Sequence, residues 1–564
     1  MYSYEDFFIF SMTYAHKKYL YRFLFFVIKP WGVTYSLINE KRKWGYNMEI
    51  KNETKFKRTS SFAEASAESS VDYTLPDYLG DVRRILFTEC EARAASHFST
   101  EDREELSGIV VYNVVYLDGE NKLSSASFTS DYDTEIKGGA GLELQCVASP
   151  RISAYNVRLL GPRKFSAKAV IMTPCRIVSE DLIAAGGSAY EREDKPICAT
   201  RVLKIHSSLA SERTEREYAE VVERLEGAIA DEVRVVYSSA DIVFDGVTAA
   251  DGEAVARGNL ILSAVISNAD EPIYIVEKRI PIEEKVPFAE INPDMTFIPE
   301  GSVVSLTSNV NADETGAEVV LSAVVEYAVV GEYNEKVSVT TDAYLKSGPT
   351  ENVYSDYCYS ELVSGCAVSE SVCATVAREE LAGEGLREIV YAVAVPKIES
   401  VSAEDGRVAV RGEMKFSGVG SLCEEDGRIS YTGVKLNAPF EVYVKCPCES
   451  GASVASAFCA CSARFIIDGE SVEACANLSG NISVTKNGQE KILVCCDAVS
   501  DIEYVQTSGT ITVYYPDADE TLFSVAKKFH TTPEKIATDN SLSEAVCAGG
   551  DTEPLGTVKR VLIY

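Results

Sequence analysis

The feature that most constrains the fold is a phrase that recurs three times along the chain. The second copy reads "VRVVYSSADIVFDGVTAADGEAVARG" and ends at Gly258, and the third reads "LREIVYAVAVPKIESVSAEDGRVAVRG" and ends at Gly412. A looser first copy ends at Gly108, so the three closing glycines are 150 and 154 residues apart. A period of this length is typical of a domain, and the sequence therefore predicts three copies of one folding unit.

After each closing glycine come an alternating strand, a polar turn and a second strand, as in "LILSAVISNADEPIYIVEKRIPI". Period-2 alternation rich in Val, Ile and Tyr is typical of hairpins with one buried face. Each copy is therefore expected to be a β-sandwich-like or partly open barrel-like domain of about 100 residues. The predicted fold class is mainly β, with domains at residues 48–185, 186–350 and 351–505.

The segments that join these domains have a different pattern. Tyr218, Val221, Val222 and Leu225 recur at i, i+3, i+4 and i+7 among Glu and Arg residues. This spacing predicts a short amphipathic helix before the second β domain. Residues 351–385 are predicted to form a second connector, of mixed pattern.

The overall charge limits the classes of partner. The chain has 564 residues and a formal net charge of −32 at pH 7. Such a charge repels phosphate groups, which argues against nucleic acid or an anionic membrane as the main partner. A neutral or basic protein surface is a better match.

The first 47 residues differ from the rest, because their net charge is +4 and they hold both tryptophans. Their apolar run at residues 23–28 is too short to span a bilayer, which takes about 20 residues, so no direct membrane span is predicted. We expect residues 1–47 to be a non-native or disordered extension, with Met48 as the true start. The alternative is a membrane-surface anchor, and mass measurement of the native protein distinguishes the two.

Residues 510–564 are predicted to form a small β-α-α-β module. The segment "ITVYY" is typical of a strand, and four apolar residues from Leu522 to Phe529 lie at i, i+3, i+4 and i+7 on one helical face. Thr532 precedes a proline, which predicts a helix N-cap, and Asn540 ends that second helix. The segment "VKRVLIY" is expected to be the closing strand.

This module resembles the LysM domain, whose pattern is a strand, a Gly-Asp-Thr-Leu turn, an "xxIAxxF" helix, a Thr/Ser-capped helix ending in Asn, and a final strand. The corresponding segments here are "TLFSVAKKF" at 521–529 and "TTPEKI" at 531–536. LysM modules bind N-acetylglucosamine polymers through the two loops that flank the helices. The turn glycine is replaced here by Asp519, a change that favours docking to a protein over reading a glycan. The resemblance assigns to the binding surface Asp519, Thr521, Leu522, Phe523, Thr531, Thr532, Pro533 and Asn540.

With such a module at the C-terminal end, the repeats resemble SPOCS domains, most closely in "VRLLGPRKFSAKAVI" at 157–171. Proteins of this layout, the SipL type, are spore coat morphogenesis proteins made in the mother-cell cytoplasm and acting at the forespore surface. The resemblance implies a non-enzymatic scaffold whose LysM domain contacts the coat-basement ATPase SpoIVA, with other coat proteins as further partners. The alternative is a cell-wall protein that binds peptidoglycan.

The chain has 16 cysteines, but a protein of this size does not need a disulfide framework, and we expect reduced thiols. The sharpest motif consists of two Cys-x-Cys pairs, Cys446 with Cys448 and Cys459 with Cys461. Four thiolates could hold a tetrahedral zinc ion, or form disulfides, or simply be small core side chains on one face of two strands. We expect the last of these, and therefore no metal and no cofactor.

The sequence contains no convincing catalytic constellation. His97, His206 and His530 each lack a neighbouring nucleophile motif. The segment "GGAG" at 138–141 lacks the Lys-Ser/Thr of a phosphate-binding loop and is predicted to be a turn. We expect no enzymatic activity; the alternative is a cell-wall hydrolase that uses a pair among the 86 acidic residues.

Overall fold

The computed structural model divides the chain into two compact units, residues 1–48 and residues 49–564. In the first unit, β1 (Ile28–Lys29) and β2 (Gly32–Val33) form an antiparallel pair. The rest of the predicted extension at residues 1–47 lies outside the described residues. The structure describes residues 28–29, 32–33, 53–99, 103–137, 142–143, 150–184, 195–229, 232–250, 252–268, 271–292, 294–312, 315–383, 385–424, 427–499, 511–542, 554–555 and 558–564.

The second unit contains three consecutive copies of one β architecture and a small C-terminal module. We call the copies repeat 1 (residues 53–184), repeat 2 (residues 197–344) and repeat 3 (residues 350–498). The fold is mainly β with several antiparallel sheets, as predicted. Within the described residues, no helix is both long and apolar enough to cross a membrane.

The repeats contain the following elements in chain order. Repeat 1 consists of β3 (Glu53–Thr74), β4 (Val82–Ser99), β5 (Arg103–Asp118), β6 (Leu123–Lys137), β7 (Leu142–Glu143), β8 (Arg151–Gly161) and β9 (Lys164–Ala184). Repeat 2 consists of β10 (Ile197–Ala210), β11 (Thr214–Glu226), β12 (Arg234–Ala250), β13 (Glu253–Asn268), β14 (Glu271–Pro287), β15 (Thr296–Ala312) and β16 (Gly316–Tyr344). Repeat 3 consists of β17 (Thr350–Ala377), α1 (Arg378–Ala382), β18 (Leu386–Glu404), β19 (Arg407–Cys423), β20 (Ile429–Lys445), β21 (Ser453–Asp468) and β22 (Ser471–Ala498).

Each repeat is built from two antiparallel sheets. One sheet is a three-stranded meander, formed by β4-β5-β6, β12-β13-β14 and β18-β19-β20 in turn. The other sheet pairs the beginning of the repeat with its end, through β3 with β9, β10 and β11 with β16, and β17 with β22. The chain therefore leaves this second sheet, forms the meander and returns, so that each repeat closes on itself.

The meanders reproduce the sequence period residue by residue. The first strand of each meander has a β-bulge immediately before Phe87, Tyr237 or Tyr391. Each of these aromatic residues lies opposite a valine of the next strand. Their spacing is again 150 and 154 residues, so the predicted repeat of one folding unit is present in the backbone geometry.

An apolar core separates the two sheets of each repeat. In β16 every second side chain from Ala317 to Tyr327 is fully buried, and this row packs against Leu260 and Leu262 of β13. Full burial of one Val, Leu or Ile side chain contributes roughly 1.5–3 kcal/mol. Repeats 1 and 3 have corresponding cores.

The three repeats also share two apolar clusters with one another. In the first, the rings of Phe87, Tyr237 and Tyr391 meet with centroid distances of 6.1, 5.8 and 4.3 Å, surrounded by aliphatic residues of all three meanders. The second joins the three long strand pairs. Its buried members are Phe56, Ile183, Leu203, Ile205, Val337, Val339 and Ile492. One chain thus builds an arrangement in which three equivalent domains meet at a common centre.

The helix predicted from Tyr218 to Leu225 is wrong, because these residues belong to strand β11. Tyr218 and Val222 point toward the core of repeat 2, as expected for a period of two, and Val221 between them is 39% exposed. A bulge between Val221 and Glu223 then shifts the alternation, so that Leu225 also faces the core. A bulged strand therefore imitates the spacing of an amphipathic helix.

The connector predicted at residues 351–385 is also wrong. Most of it is β17, which pairs with β22 along its whole length, and the helical part is limited to α1. A bulge between Leu362 and Ser364 interrupts the alternation of β17. It explains why the sequence pattern is mixed.

Candidate functional site

The C-terminal module contains β23 (Thr512–Tyr514), α2 (Leu522–Lys528), α3 (Pro533–Asp539) and β24 (Val561–Ile563), in the predicted order. Strands β23 and β24 are antiparallel neighbours. The module has an apolar core, and since it is so small this core is essential to its stability. Its buried members are Leu522, Phe523, Val525, Ala526, Ile536, Ala537, Leu555, Val561 and Ile563.

Both helix N-termini are capped by threonine side chains, at Thr532 as predicted and also at Thr521, for which no cap was predicted. Thr521 and Ser524 form a capping box, in which the Ser524 N–H donates to Thr521 Oγ1 at 3.1 Å and the Thr521 N–H donates to Ser524 Oγ at 2.9 Å. Thr532 Oγ1 accepts from the Lys535 N–H at 3.1 Å, and Pro533 is the first residue of α3. Thr521, Thr532 and Pro533, assigned to the binding surface from the sequence, thus shape the helix ends.

Asn540 has a structural role as well. Its Nδ2 donates to the carbonyl oxygens of Ile536 at 2.9 Å and Leu562 at 2.8 Å, and its Oδ1 accepts from the Leu562 N–H at 2.7 Å. These bonds tie the end of α3 to β24. Asn540 therefore holds the module together, because its side-chain amide is engaged in hydrogen bonds to backbone groups.

The other assigned residues divide into buried and exposed. Leu522, Phe523 and Thr531 are 2%, 5% and 5% exposed, whereas Asp519 is exposed in the first turn. Phe523 and Thr531 are covered by repeat 2, so neither is available to a partner in this arrangement.

The contact with repeat 2 is specific. The Tyr344 hydroxyl donates to the Thr531 carbonyl at 2.5 Å, and the Tyr344 ring meets Phe523 edge-on with centroids 5.3 Å apart. Lys527 Nζ forms an ion pair with Asp342 Oδ2 at 2.5 Å. His530 Nδ1 lies 3.1 Å from the Leu345 carbonyl oxygen. The end of α2 and the turn after it therefore fix the module to the last strand of repeat 2.

The altered first turn is held by its own polar contacts. The Tyr514 hydroxyl donates to Glu520 at 2.7 Å, the Asp517 N–H donates to the same carboxylate at 3.0 Å, and Lys528 lies 3.8 Å from it. Burial opposes the ionisation of Glu520, but these three donors outweigh it and hold its pKa below the ordinary 4.5. The turn that carries Asp519 is thus ordered without the glycine.

The strand pair β23–β24 presents an apolar surface that was not predicted from the sequence. Ile511, Val513 and Tyr515 are 61%, 48% and 68% exposed, and Tyr564 at the end of β24 is 49% exposed. Val513 lies directly opposite Leu562 in the antiparallel register. We call Ile511, Val513, Tyr515, Leu562 and Tyr564 the outer face. The alternation in "ITVYY" was the available signal, because residues i, i+2 and i+4 of a strand share one side.

One end of the outer face carries both signs of charge, since the exposed Asp517 and Asp519 follow β23 at the end of the strand pair where β24 begins. Lys559 and Arg560, which precede β24, are both exposed. Tyr and Arg are enriched among the residues that dominate protein–protein binding energies, and charged side chains typically occupy the rim. The composition of the outer face, with two tyrosines and exposed aliphatic residues, resembles that of the apolar centre of protein–protein interfaces.

The structure corrects the expectation of reduced thiols. Cys366 forms a disulfide with Cys446, and Cys373 forms one with Cys475. Both bonds connect strands of repeat 3 or the loop after β20. Cys446 therefore is not a zinc ligand in this state, and the predicted zinc alternative loses one of its four members.

The remaining members of the two Cys-x-Cys pairs are less informative. The Cys448 thiol lies 3.0 Å from the Glu404 carbonyl oxygen and 3.2 Å from that of Arg407, as expected for a packed side chain. The side chains of Cys459 and Cys461 lie outside the described residues. Glu473 lies beside Cys373 and Cys475, but the sulfur atoms of these two cysteines are already joined in a disulfide.

The histidines do not form a cluster in the described part of the chain. His206 is 6% exposed, and its Nε2 lies 3.8 Å from Glu332, a carboxylate that also accepts from the Ser483 hydroxyl at 2.5 Å. This polar group lies between repeats 2 and 3. His530 is at the contact with repeat 2, and the side chain of His97 lies outside the described residues.

Comparison of the chain with models of protein families, with curated proteins and with solved structures finds no match.

Proposed function

We propose that this chain is a non-enzymatic scaffold of the spore coat that docks through its C-terminal module to the coat-basement ATPase. The resemblance of the repeats and of the module to SPOCS and LysM domains motivates this function. The observation that carries it is the outer face, an exposed apolar surface with two tyrosines.

The apolar centre of the outer face is what we expect a partner to recognise. The chain as a whole has a net charge of −32, but the end of this face carries both signs of charge, with Lys559 and Arg560 before β24 and Asp517 and Asp519 after β23. A partner surface with an exposed apolar patch therefore complements the face better than one of a single charge.

Fixed presentation of the face suits a scaffold. The Lys527–Asp342 ion pair and the Tyr344–Thr531 hydrogen bond hold the module against repeat 2 and leave the outer face exposed. A docked partner then has a defined position relative to the three repeats. Less conformational freedom is lost on binding when the surface is already ordered.

The test is a pull-down of the full chain from sporulating cells, with Tyr515→Asp and Val513→Asp as variants. Each places a charge in the centre of the outer face, and we expect recovery of the coat ATPase to fall at least tenfold. Tyr78→Asp is the matched control, because Tyr78 is 83% exposed in repeat 1 and should not affect recovery.

Two results would count against the proposal. Unchanged ATPase recovery with both variants would move the docking site away from the outer face. Retention of the intact protein on purified peptidoglycan, with no ATPase recovered, would favour the glycan-binding alternative.

A further inference from the structure

The Cys373–Cys475 disulfide lies on the outer side of a sheet of repeat 3. The two cysteines are directly opposite each other in the antiparallel register of β17 and β22, with their Cα atoms 4.1 Å apart. Val372 and Ala476, the next pair along, are buried in the core of repeat 3. Because neighbouring residues of a strand point to opposite sides of the sheet, the cysteines lie on the side away from this core.

A carboxylate lies beside the two sulfur atoms. Glu473 is two residues before Cys475 on β22, so its side chain is on the same side of the sheet. One of its carboxylate oxygens and the two sulfur atoms all lie within 4.8 Å of one another. Among the described residues, this carboxylate has no ion-pair partner. The strand register therefore brings two sulfur ligands and one oxygen ligand together at one point of the sheet.

A basic residue adjoins this group. Arg464 of β21 is opposite Cys475 on the other side of β22. A nearby guanidinium favours the thiolate form of a cysteine, which is the form that binds metal ions. Two thiolates and the Glu473 carboxylate supply three negative charges against the one positive charge of Arg464, so a dication is still attracted.

A reductant can reach this disulfide from the side of β17, because Cys373 is exposed whereas Cys475 is 3% exposed. A thiolate of a dithiol reductant attacks Cys373 Sγ, the S–S bond breaks, and Cys475 leaves as a thiolate. The second thiol of the reductant then attacks the mixed disulfide and releases Cys373. Two electrons and two protons pass from the dithiol to the protein, and the dithiol becomes a disulfide.

The groups that reduction releases are a suitable ligand set for zinc. Zinc is bound in proteins by thiolates at about 2.3 Å and by carboxylate oxygens at about 2.1 Å. Ligand atoms at these distances from a tetrahedral ion are about 3.6–3.8 Å apart, so separations within 4.8 Å require only small rotations of the side chains once the sulfur atoms are no longer bonded. A water molecule completes the coordination in zinc sites with three protein ligands. Magnesium and calcium prefer oxygen ligands and do not match two sulfurs.

We propose that Cys373, Cys475 and Glu473 form a zinc site when the disulfide between the two cysteines is reduced. The disulfide and the zinc ion are then alternative cross-links between the same two strands, β17 and β22. Zinc binding displaces the two thiol protons and keeps these strands tied in the reduced protein. The site goes beyond the docking of the C-terminal module, and none of its three residues belongs to the outer face.

The test measures the zinc that the full chain retains after unbound metal is removed, in the presence and absence of a phosphine reductant. We expect reduced Cys475→Ser to hold one zinc ion fewer per chain than the reduced wild type. Without reductant, the two proteins should hold equal amounts. Cys446→Ser is the matched control, because it removes a thiol of the other disulfide of repeat 3 and should retain as much zinc as the wild type.

A second variant tests the oxygen ligand while all thiols are intact. Glu473→Gln should weaken zinc binding by the reduced protein at least tenfold, measured by competition with a chromophoric chelator. Glu470→Gln is the matched control, because Glu470 is an exposed carboxylate in the turn immediately before β22, and its zinc affinity should equal that of the wild type.

The melting temperature separates zinc binding from folding. With the disulfide intact, Glu473→Gln should melt as the wild type does, because its exposed carboxylate has no ion pair to lose among the described residues. After reduction, zinc should raise the melting temperature of the wild type but not that of Glu473→Gln. A merely structural carboxylate would change the melting temperature in both redox states and would leave the effect of zinc unchanged.

The proposal is overturned if the reduced wild type and reduced Cys475→Ser hold the same amount of zinc, or if Glu473→Gln binds zinc as tightly as Glu470→Gln. Equal losses of zinc in Cys446→Ser and Cys475→Ser would also overturn it, because the metal would then follow the number of thiols. Tyr515→Asp should bind zinc as the wild type does, and Glu473→Gln should still recover the coat ATPase. The two proposals can therefore fail separately.

Discussion

Replacing Asp241 by asparagine should stabilise the protein, and the gain should grow with pH. Asp241 lies on β12, where the meanders of repeats 1 and 2 meet. Desolvation of its carboxyl, together with the negative charges of Glu89, Glu91 and Glu277, raises its pKa to about 7. The structure therefore contains a carboxylate that resists ionisation at the contact between two repeats.

Neighbouring groups do not relieve this charge. Arg93 pairs with Glu91 at 2.7 Å, and Arg279 hydrogen-bonds Glu277 at 2.8 Å. The pKa of Glu89 is itself raised, because desolvation outweighs the hydrogen bonds that Glu89 accepts from the Tyr237 hydroxyl and the Asn113 amide. Ionised Asp241 thus faces carboxylates whose cations are already engaged.

The direction in which stability changes with pH follows from the number of protons that the folded and unfolded states bind. Below its ordinary pKa of 3.8, Asp241 is protonated in the folded and the unfolded state and does not lower the free energy of unfolding. Between 3.8 and about 7 the folded protein holds a proton that the unfolded chain has released, so stability falls as pH rises. Above about 7 the full penalty is present. Since a tenfold change in proton affinity corresponds to about 1.4 kcal/mol, that penalty is at most about 4 kcal/mol.

The assay is equilibrium and thermal unfolding of wild type and Asp241→Asn at pH 4.5, 6 and 8. We expect the variant to be more stable by about 1 kcal/mol at pH 4.5 and by about 2–4 kcal/mol at pH 8. Asp245→Asn, at an exposed position on the same strand, should show no such trend. A difference that is constant with pH, or a variant less stable at pH 8, would refute the reasoning.

Three further predictions concern the C-terminal module and repeat 3. Thr532→Ala removes the N-cap of α3 and should lower the stability of the module by about 1 kcal/mol, measured by the local melting of its helices. A double-mutant cycle on Lys527→Ala and Asp342→Ala should give a coupling of roughly 0.5–1 kcal/mol, and the double variant should be cleaved faster by protease in the segment that joins repeat 3 to the module. Removal of the Cys366–Cys446 bond, which closes 80 residues of sequence, by Cys366→Ser should cost about 4 kcal/mol by loop entropy, measured as the loss of unfolding free energy relative to the wild type when both proteins are kept without reductant, so that the Cys373–Cys475 bond is present in each.

The repeated architecture was predictable because its signal is local. Alternation within a strand reports which face is buried, and the recurrence of whole phrases reports that the same solution is used three times. The prediction failed where a bulge changed the local period. In β11 the inward positions of Tyr218, Val222 and Leu225 are those of a strand with one inserted residue, yet their spacing also fits a helix. Only pairing with β16 decides between the two.

The Lys204–Lys336 pairing and the disulfides could not be predicted from the sequence, because they depend on the register between strands that are far apart in the chain. Lys204 and Lys336 are far apart in sequence and become neighbours only when β10 pairs with β16. Cys373 meets Cys475 because β17 and β22 align at that point, and 16 cysteines allow very many other pairings. For the C-terminal module, the resemblance directed attention to the helix ends and away from the exposed side of β23.

The acidic residues Glu89 and Asp241, where the meanders of the repeats meet, are not required by the fold of the repeats. Two residues after the shared aromatic position, repeat 1 has Glu89 and repeat 2 has Ser239, but repeat 3 has Val393. Four residues after it, repeat 2 has Asp241 and repeat 3 has Val395. Repeat 3 forms the same bulged meander with apolar residues at both positions. The acidic residues therefore add a pH dependence to a centre that aromatic and aliphatic packing already holds, and an apolar residue at position 241 should be compatible with the meander of repeat 2.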